Sequence, residues 1–332
     1  MKHQTALTQR LARWAGISFM ALALAGTALA QTSSKGTITI VVGFAPGAGT
    51  DTLARSIAEQ LQRRLDQTVI VENKTGAGGA IAVNAVAKAP ADGHTLLFAP
   101  NTLVIAPHLL TAGSGAQTNV LTDLAPVIQA TKSTLLLVTS PAALDVKDAK
   151  ALTALARTKA GLTYGTAGNG TPQHIAGELY RRSAGIDITH VPYRGTGPAL
   201  TDLMGGHLSF AISSMGAAIP YIQSGRLVPL AVVEKSRTPL LPDVPTMTEQ
   251  GITGVELSGW FGLLAPNGTP QSQIDKLNRE LNAVLANPEI QQKFRAQGEV
   301  TVGGTSQAFA QLIKDEYSRY GRIIKEFGIK SE

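Results

Sequence analysis

ITIVVGFAPGAGTD, residues Ile38–Asp51, runs from an apolar β-branched segment through a Pro/Gly loop into a helix that opens at Thr50-Asp51. A strand fixes such a loop, Gly47 and Gly49 let the main chain approach a ligand, and the N–H groups of the first helical turn point outward unpaired. This builds a cradle for a small anion. Working outward, Thr50–Leu65 carries Leu53, Ile57, Leu61 and Leu65 at helical spacing. Thr68–Val71 reads as a second strand and Gly78–Ala89 as an alanine-rich helix stopped by Pro90. Thr95–Phe98 follows the turn Asp92-Gly93 as a third strand. The order βαβαβ predicts a parallel sheet with right-handed crossovers.

Beyond Ala125–Thr131 the alternation resumes in a second unit. Strands are expected at Leu135–Thr139, Leu162–Gly165, Ile188–Val191, Leu208–Ile212 and Leu227–Val233, with helices near Ala149–Lys159, Gln173–Ser183, Pro198–Gly205 and Ala217–Gln223. The last quarter holds a short strand at Phe261–Leu264 and helices that include Gln271–Leu285 and Gln307–Glu326. It reads as returning to pack on the first unit, with a plain two-domain order as the rival.

Three more junctions repeat the opening device: GTAGNGTPQ (Gly165–Gln173), VPYRGTGP (Val191–Pro198) and ISSMGA (Ile212–Ala217). In α/β sheets ligands sit beyond the carboxyl ends of strands, where such helix N-termini converge. A single Gly-rich turn merely connects elements, so the inference rests on there being four. His174 opens a helix beside the Gly168–Thr171 loop, Tyr193 and Arg194 occupy another loop, and Trp260-Phe261 reads as core or as a pocket wall.

Other chemistry is excluded by pattern. TGAGGAI (Thr75–Ile81) has Ile81 where a dinucleotide fingerprint needs its third Gly, and no Lys-Ser/Thr follows a phosphate-type loop. There is no GxSxG or HExxH, and His94, His108, His174, His190 and His207 lack ligand spacing. With no Cys, neither a disulfide framework nor a thiolate metal site is available. No cofactor is expected.

The first thirty residues read as a cleavable Sec-type signal peptide. Lys2, Arg10 and Arg13 precede the apolar run Trp14–Gly26, and Ala28-Leu29-Ala30 supplies the small-residue site before Gln31. Of the 332 residues, 29 are basic and 23 acidic; removing the three signal cations leaves 26 against 23, a net +3 too scattered for a nucleic-acid footprint. Thirty-four Gly and 16% charged residues suit a tightly wound α/β protein.

Together these segments resemble the Bug family, the extracytoplasmic solute receptors of tripartite tricarboxylate transporters. The likeness runs through LTYGTAGNGTPQHIAGEL (162–179), VPYRGTGPALTDLMGGHLSFAI (191–212) and WFGLLAPNGTP (260–270), and covers essentially the whole chain after the signal. It implies an α/β type II periplasmic binding protein fold, with two Rossmann-like lobes around a ligand cleft joined by crossing strands. Lobe 1 would comprise residues 31–132 plus 228–332, and lobe 2 residues 133–227. The implied protein is a periplasmic monomer that captures a small carboxylate (a di- or tricarboxylate, an acidic amino acid or an aromatic acid) by lobe closure. It would deliver the acid to integral-membrane permease subunits.

Carried onto this chain, the first-lobe contacts would be Phe44, Ala45, Gly49, Thr50 and Asp51, with Gly78 nearby. Those of the second lobe would be Ala167, Gly168, Asn169, Gly170, Thr171, Tyr193, Arg194, Gly195, Thr196, Ser213, Ser214 and Met215, joined by His174 from the residue reading. The chain departs from the family at Gly43, usually Pro, at Ala48, usually Gly, and at Ala80-Ile81-Ala82, often Asn-Ile-Gly. Ala48 is expected to narrow the freedom of the first loop. Two other readings are a secreted α/β enzyme acting on a small acid, with Asp51 and His174 or Tyr193 as its candidate set, and a ligand-sensing subunit that docks on a signalling partner.

Overall fold

Residues 36–109 and 118–329 are described in the computed structural model; the expected signal peptide lies outside them. Strand β1 (Ile38–Val42) pairs in parallel with β2 (Val69–Asn73) and β3 (Thr95–Pro100), and helices α1 (Gly49–Leu65) and α2 (Ala80–Ala87) make the crossovers. Ile38, Ile40 and Val42 alternate onto one face of β1 and meet Leu53, Ile57 and Leu61 of α1 in one buried cluster. A short α3 (Thr102–Ile105) follows β3.

Helix α2 begins at Ala80, later than the expected Gly78, because Gly78 and Gly79 are left-handed (φ +63° and +99°) and form a separate turn. Gly43 packs directly on that turn: a Cβ there would lie 2.7 Å from the Gly79 Cα. Having no Cβ at residue 43 is what admits the close approach.

The first sheet is mixed. Strand β4 (Leu124–Ser133), a stretch that the sequence presents only as a passage between units, is a ten-residue member of this sheet. It continues through Thr134 into β5 (Leu135–Thr139), which belongs to the second sheet. That sheet is filled by α4 (Ala149–Thr158), β6 (Leu162–Thr166), α5 (Pro172–Ala184), β7 (Ile188–Pro192), α6 (Thr196–Met204), β8 (Phe210–Ser214), α7 (Met215–Gln223) and β9 (Val228–Val232). Its order is β7-β6-β8-β5-β9, with β6 parallel to β7 and β8, and β5 antiparallel to β8 and β9. The expected lobe boundary at 227/228 separates Val228–Val232 from the strands with which it pairs; the pairing keeps β9 in the second sheet.

The chain then returns. Strand β10 (Gly259–Pro266) inserts antiparallel between β3 and β4, and is followed by α8 (Gln271–Leu285), α9 (Pro288–Ala296), β11 (Glu299–Thr301) and α10 (Ser306–Phe327). Ile274, Leu277 and Leu281 of α8 complete the cluster under α1. The first sheet thus reads β11-β4-β10-β3-β1-β2. Both sheets lie in one compact unit that starts at Thr37.

Candidate functional site

A cavity of about 640 Å³ lies between the two sheets, and all four glycine-bearing junctions open onto it. Phe44, Gly49 and Thr50 come from the β1–α1 junction, Ala167, Thr171 and Gln173 from β6–α5, Gly195 and Thr196 from β7–α6, and Ser214, Gly216 and Ala217 from β8–α7. The helix starts follow from local sequence. Thr171 caps α5 by accepting from the His174 N–H at 3.3 Å, and Pro172 fills the first helical position, where a missing N–H costs nothing. The other three helices differ. The N-cap positions of α1, α6 and α7, occupied by Ala48, Gly195 and Ser214, make no side-chain cap bond among the described residues. In α7 the leading Met215 N–H donates to the Thr134 carbonyl at 2.9 Å; the other first-turn N–H groups of these three helices remain as donors, and the helix dipoles add positive potential.

Among the described residues that line the cavity, Glu299 is the one ionisable group, and no Lys, Arg or His is found with it. Its carboxylate accepts from Thr131 Oγ1 at 2.7 Å and from Ser133 Oγ, and burial pushes its pKa up against those two bonds. Trp260 and Phe261 also line the wall, and the Trp260 Nε1–H donates to Glu316. Burial raises Glu316 to about 7 despite that bond and nearby Arg319.

Eight of the nineteen residues marked in the sequence line this cavity: Phe44, Gly49, Thr50, Ala167, Thr171, Gly195, Thr196 and Ser214. The remainder stand behind or beside it. Asp51 accepts from the Gly47 N–H (2.8 Å), Arg55 Nε (2.9 Å) and Asn73 Nδ2 (2.8 Å). Burial alone would raise its pKa, but these donors outweigh it and hold the carboxyl at about 2. Asn73 also donates to the Phe44 carbonyl, so Asp51 and Asn73 together brace the first loop. Ala45, Gly168, Asn169, Gly170, Arg194, Ser213 and Met215 are not among the lining residues, and Gly78 lines a separate cavity of about 40 Å³ shared with Phe44.

His174 stacks on His190 with ring centroids 3.9 Å apart, and its Nδ1 accepts from the Gly170 N–H at 3.1 Å. His190 Nε2 lies 2.7 Å from Thr166 Oγ1. Burial lowers both histidines, with His174 adding to the effect on His190, which falls to about 3. The Tyr193 hydroxyl donates to Asp202 at 2.6 Å; burial and that carboxylate push it to about 12. Asp51, His174 and Tyr193 therefore serve separate networks, and no nucleophile–base pair forms from them.

Ala48 sits at φ −66°, ψ 159°, extended backbone that any residue adopts, so it does not strain the first loop. Sequence reading missed Ser133, Gln297 and Glu299 as wall residues. Trp260 and Phe261 carried a signal, the paired aromatics entering β10.

The model of the tripartite tricarboxylate transporter family receptor matches residues 53–329. The chain belongs to that family. BugT of Bordetella pertussis is 36% identical over 97% of this chain and 98% of its own. A solved Rhodopseudomonas palustris receptor with adipate, Rpa4515, has a TM-score of 0.78 at 33% identity, covering 89% of this chain and 98% of that one. MatC of the same organism, with bound malate, has a TM-score of 0.73 at 31% identity, over 87% and 98%. The tripartite tricarboxylate receptor described here has the two-lobe type II periplasmic binding protein fold that these structures share. Family and fold are those of solute-binding receptors.

Proposed function

We propose that the protein captures a small carboxylate between its two sheets in the periplasm, after cleavage of residues 1–30, and hands it to a membrane permease. The observation that carries this reading is the cavity itself: three helix N-termini without side-chain caps face it from both sheets, and among the described residues no cationic side chain lines it. Main-chain donors are what such a site offers, and each hydrogen bond to a charged acceptor contributes roughly 1.5–3 kcal/mol. The relatives solved with adipate and malate supply the ligand class. Lobe 1 then contributes Phe44, Gly49 and Thr50, and lobe 2 Ala167, Thr171, Gly195, Thr196 and Ser214.

Ligand would bridge both lobes only when they are closed, so binding shifts the equilibrium toward closure. The family's name, a transporter receptor, supports delivery to permease subunits, and a monomer suits this division of labour. Thermal shift and calorimetry on the mature protein, refolded to strip carried-over ligand, test the proposal against mono-, di- and tricarboxylates. A melting rise with at least one acid is expected; indifference to all of them sinks the ligand class. Loss of that response in Thr196→Pro, which removes a donor N–H at the start of α6, would tie it to the main chain.

A further inference from the structure

We infer that Glu299 makes this receptor selective for acids whose second polar end donates a hydrogen bond, an ammonium or a hydroxyl group, over dicarboxylates of equal length. The inference rests on the carboxylate-capture reading and extends it to the far end of the ligand. Strand β11 sets the geometry. Glu299 pairs with Ser133 and Thr301 with Thr131 across the antiparallel ladder, and the period of two brings both β4 hydroxyls to one face. Those hydroxyls take one position on each carboxylate oxygen, and Glu299 is only 7% exposed. No ion pair to it exists among the described residues. The neighbouring Lys132 binds Glu234 and lines a different pocket.

A carboxylate oxygen accepts more than one hydrogen bond, so acceptor capacity remains for a ligand. The cavity is thus polarised: main-chain donors at the helix N-termini and, at Glu299, the one acidic acceptor among the described lining residues. A ligand ammonium or hydroxyl meets that acceptor directly. A second carboxylate meets like charge, or must compete with Ser133 and Thr131 for the single proton of a neutral carboxyl.

The experiment is calorimetry of the stripped, full mature chain with straight-chain acids of three to seven carbons. Each length is tested with an ammonium, a hydroxyl or a second carboxylate at the far end, beside amines and alcohols of the same length that lack the acid. At the best-fitting length, the ammonium- or hydroxyl-ended acid is expected to bind at least tenfold more tightly than the dicarboxylate. Glu299→Gln is expected to cut that ratio to within about threefold. The wild-type ratio decides by itself should the variant not fold. A wild-type dicarboxylate as tight as its donor-ended partners overturns the inference, as does a ratio that survives Glu299→Gln. The parent reading fails separately: amines or alcohols that bind while every acid is ignored would remove the carboxylate end and keep the Glu299 end. Silence from every compound overturns both.

Discussion

The two walls of the cavity hold their helix N-termini by different chemistry. On the first sheet, one ionised side chain does most of the bracing: Asp51 gathers Gly47, Arg55 and Asn73 around the start of α1. On the second, the brace under α5 is neutral. Thr166, the stacked His190 and His174, and the Gly170 amide form a chain under the loop before α5, while Tyr193 and Asp202 pin the loop before α6. The charged brace is complete at any pH above its carboxyl's range. The neutral brace depends on two buried imidazoles staying unprotonated, since a proton on His174 Nδ1 would confront the Gly170 N–H with a second donor. Acid should therefore loosen the second wall while leaving the first intact.

The largest effect is expected where the walls touch. Gly216, in the first turn of α7, lies so close to the turn before β11 that a Cβ would fall 1.8 Å from the Gln297 carbonyl oxygen. Backbone cannot swing aside as a side chain can, so Gly216→Ala must push the walls apart. Overpacking of this kind costs about 1–3 kcal/mol, and a ten- to hundredfold loss of ligand affinity by calorimetry is expected. Unchanged affinity would mean that this contact does not set the spacing of the walls.

Acid titration separates the walls next. His190 falls from about 6.5 in the unfolded chain to about 3, so its contribution is whole above pH 6.5 and drains away as pH falls toward 3. By pH 4.5 the loss is about 3 kcal/mol. Glu316, behind Trp260 of the first sheet, has the opposite sign. Its folded value of about 7 exceeds the unfolded 4.5, so its contribution is whole below pH 4.5 and lost as pH rises through 7. Between pH 4.5 and 6.5 the two slopes offset one another. Urea unfolding of Glu316→Gln should unmask acid sensitivity, and His190→Gln should leave a protein that gains stability on acidification. Equal slopes in both variants would show that neither group is the titrating one.

What the sequence disclosed follows from range. The strands β1 to β3 and β5 to β9 lie beside their own turn and helix signals, and all four junctions owe their shape to glycines and caps within ten residues. Strand β4 was not legible: Pro126 interrupts it, and its partners β10 and β11 arrive more than 120 residues later. Glu299 was hidden for the same reason. Nothing around GEV (298–300) marks a cavity wall until the ladder sets it opposite Ser133. Local chemistry showed which helix starts face the cavity, whereas the carboxylate at its wall emerged only from long-range pairing.

A smaller effect is expected from Asp51→Asn. An amide oxygen standing where Oδ2 stands keeps the Gly47 and Arg55 donors, loses Asn73, and gives up the charge toward Arg55, which is half exposed and screened accordingly. A loss of about 2 kcal/mol in urea unfolding is expected at neutral pH, unchanged down to about pH 4, because the wild-type carboxyl ionises near 2. A pH-dependent loss between 5 and 7 would place the brace elsewhere.

Ala48→Gly should do least, and its smallness is informative. The glycine expected at this N-cap from the sequence resemblance invites the view that backbone freedom is needed beside the ligand. At φ −66° and ψ 159° no such freedom is used. Glycine is somewhat better than alanine at an N-cap, but it adds entropy to the unfolded chain by roughly 0.4–1 kcal/mol, and the two terms oppose each other. The net change in stability is expected to stay within about 0.5 kcal/mol. Ligand affinity should not move, since the donors at the start of α1 belong to the backbone in either case. A tenfold gain in affinity on Ala48→Gly would mean that the first loop rearranges on binding, and that the first wall, for all its charged bracing, is the one that moves.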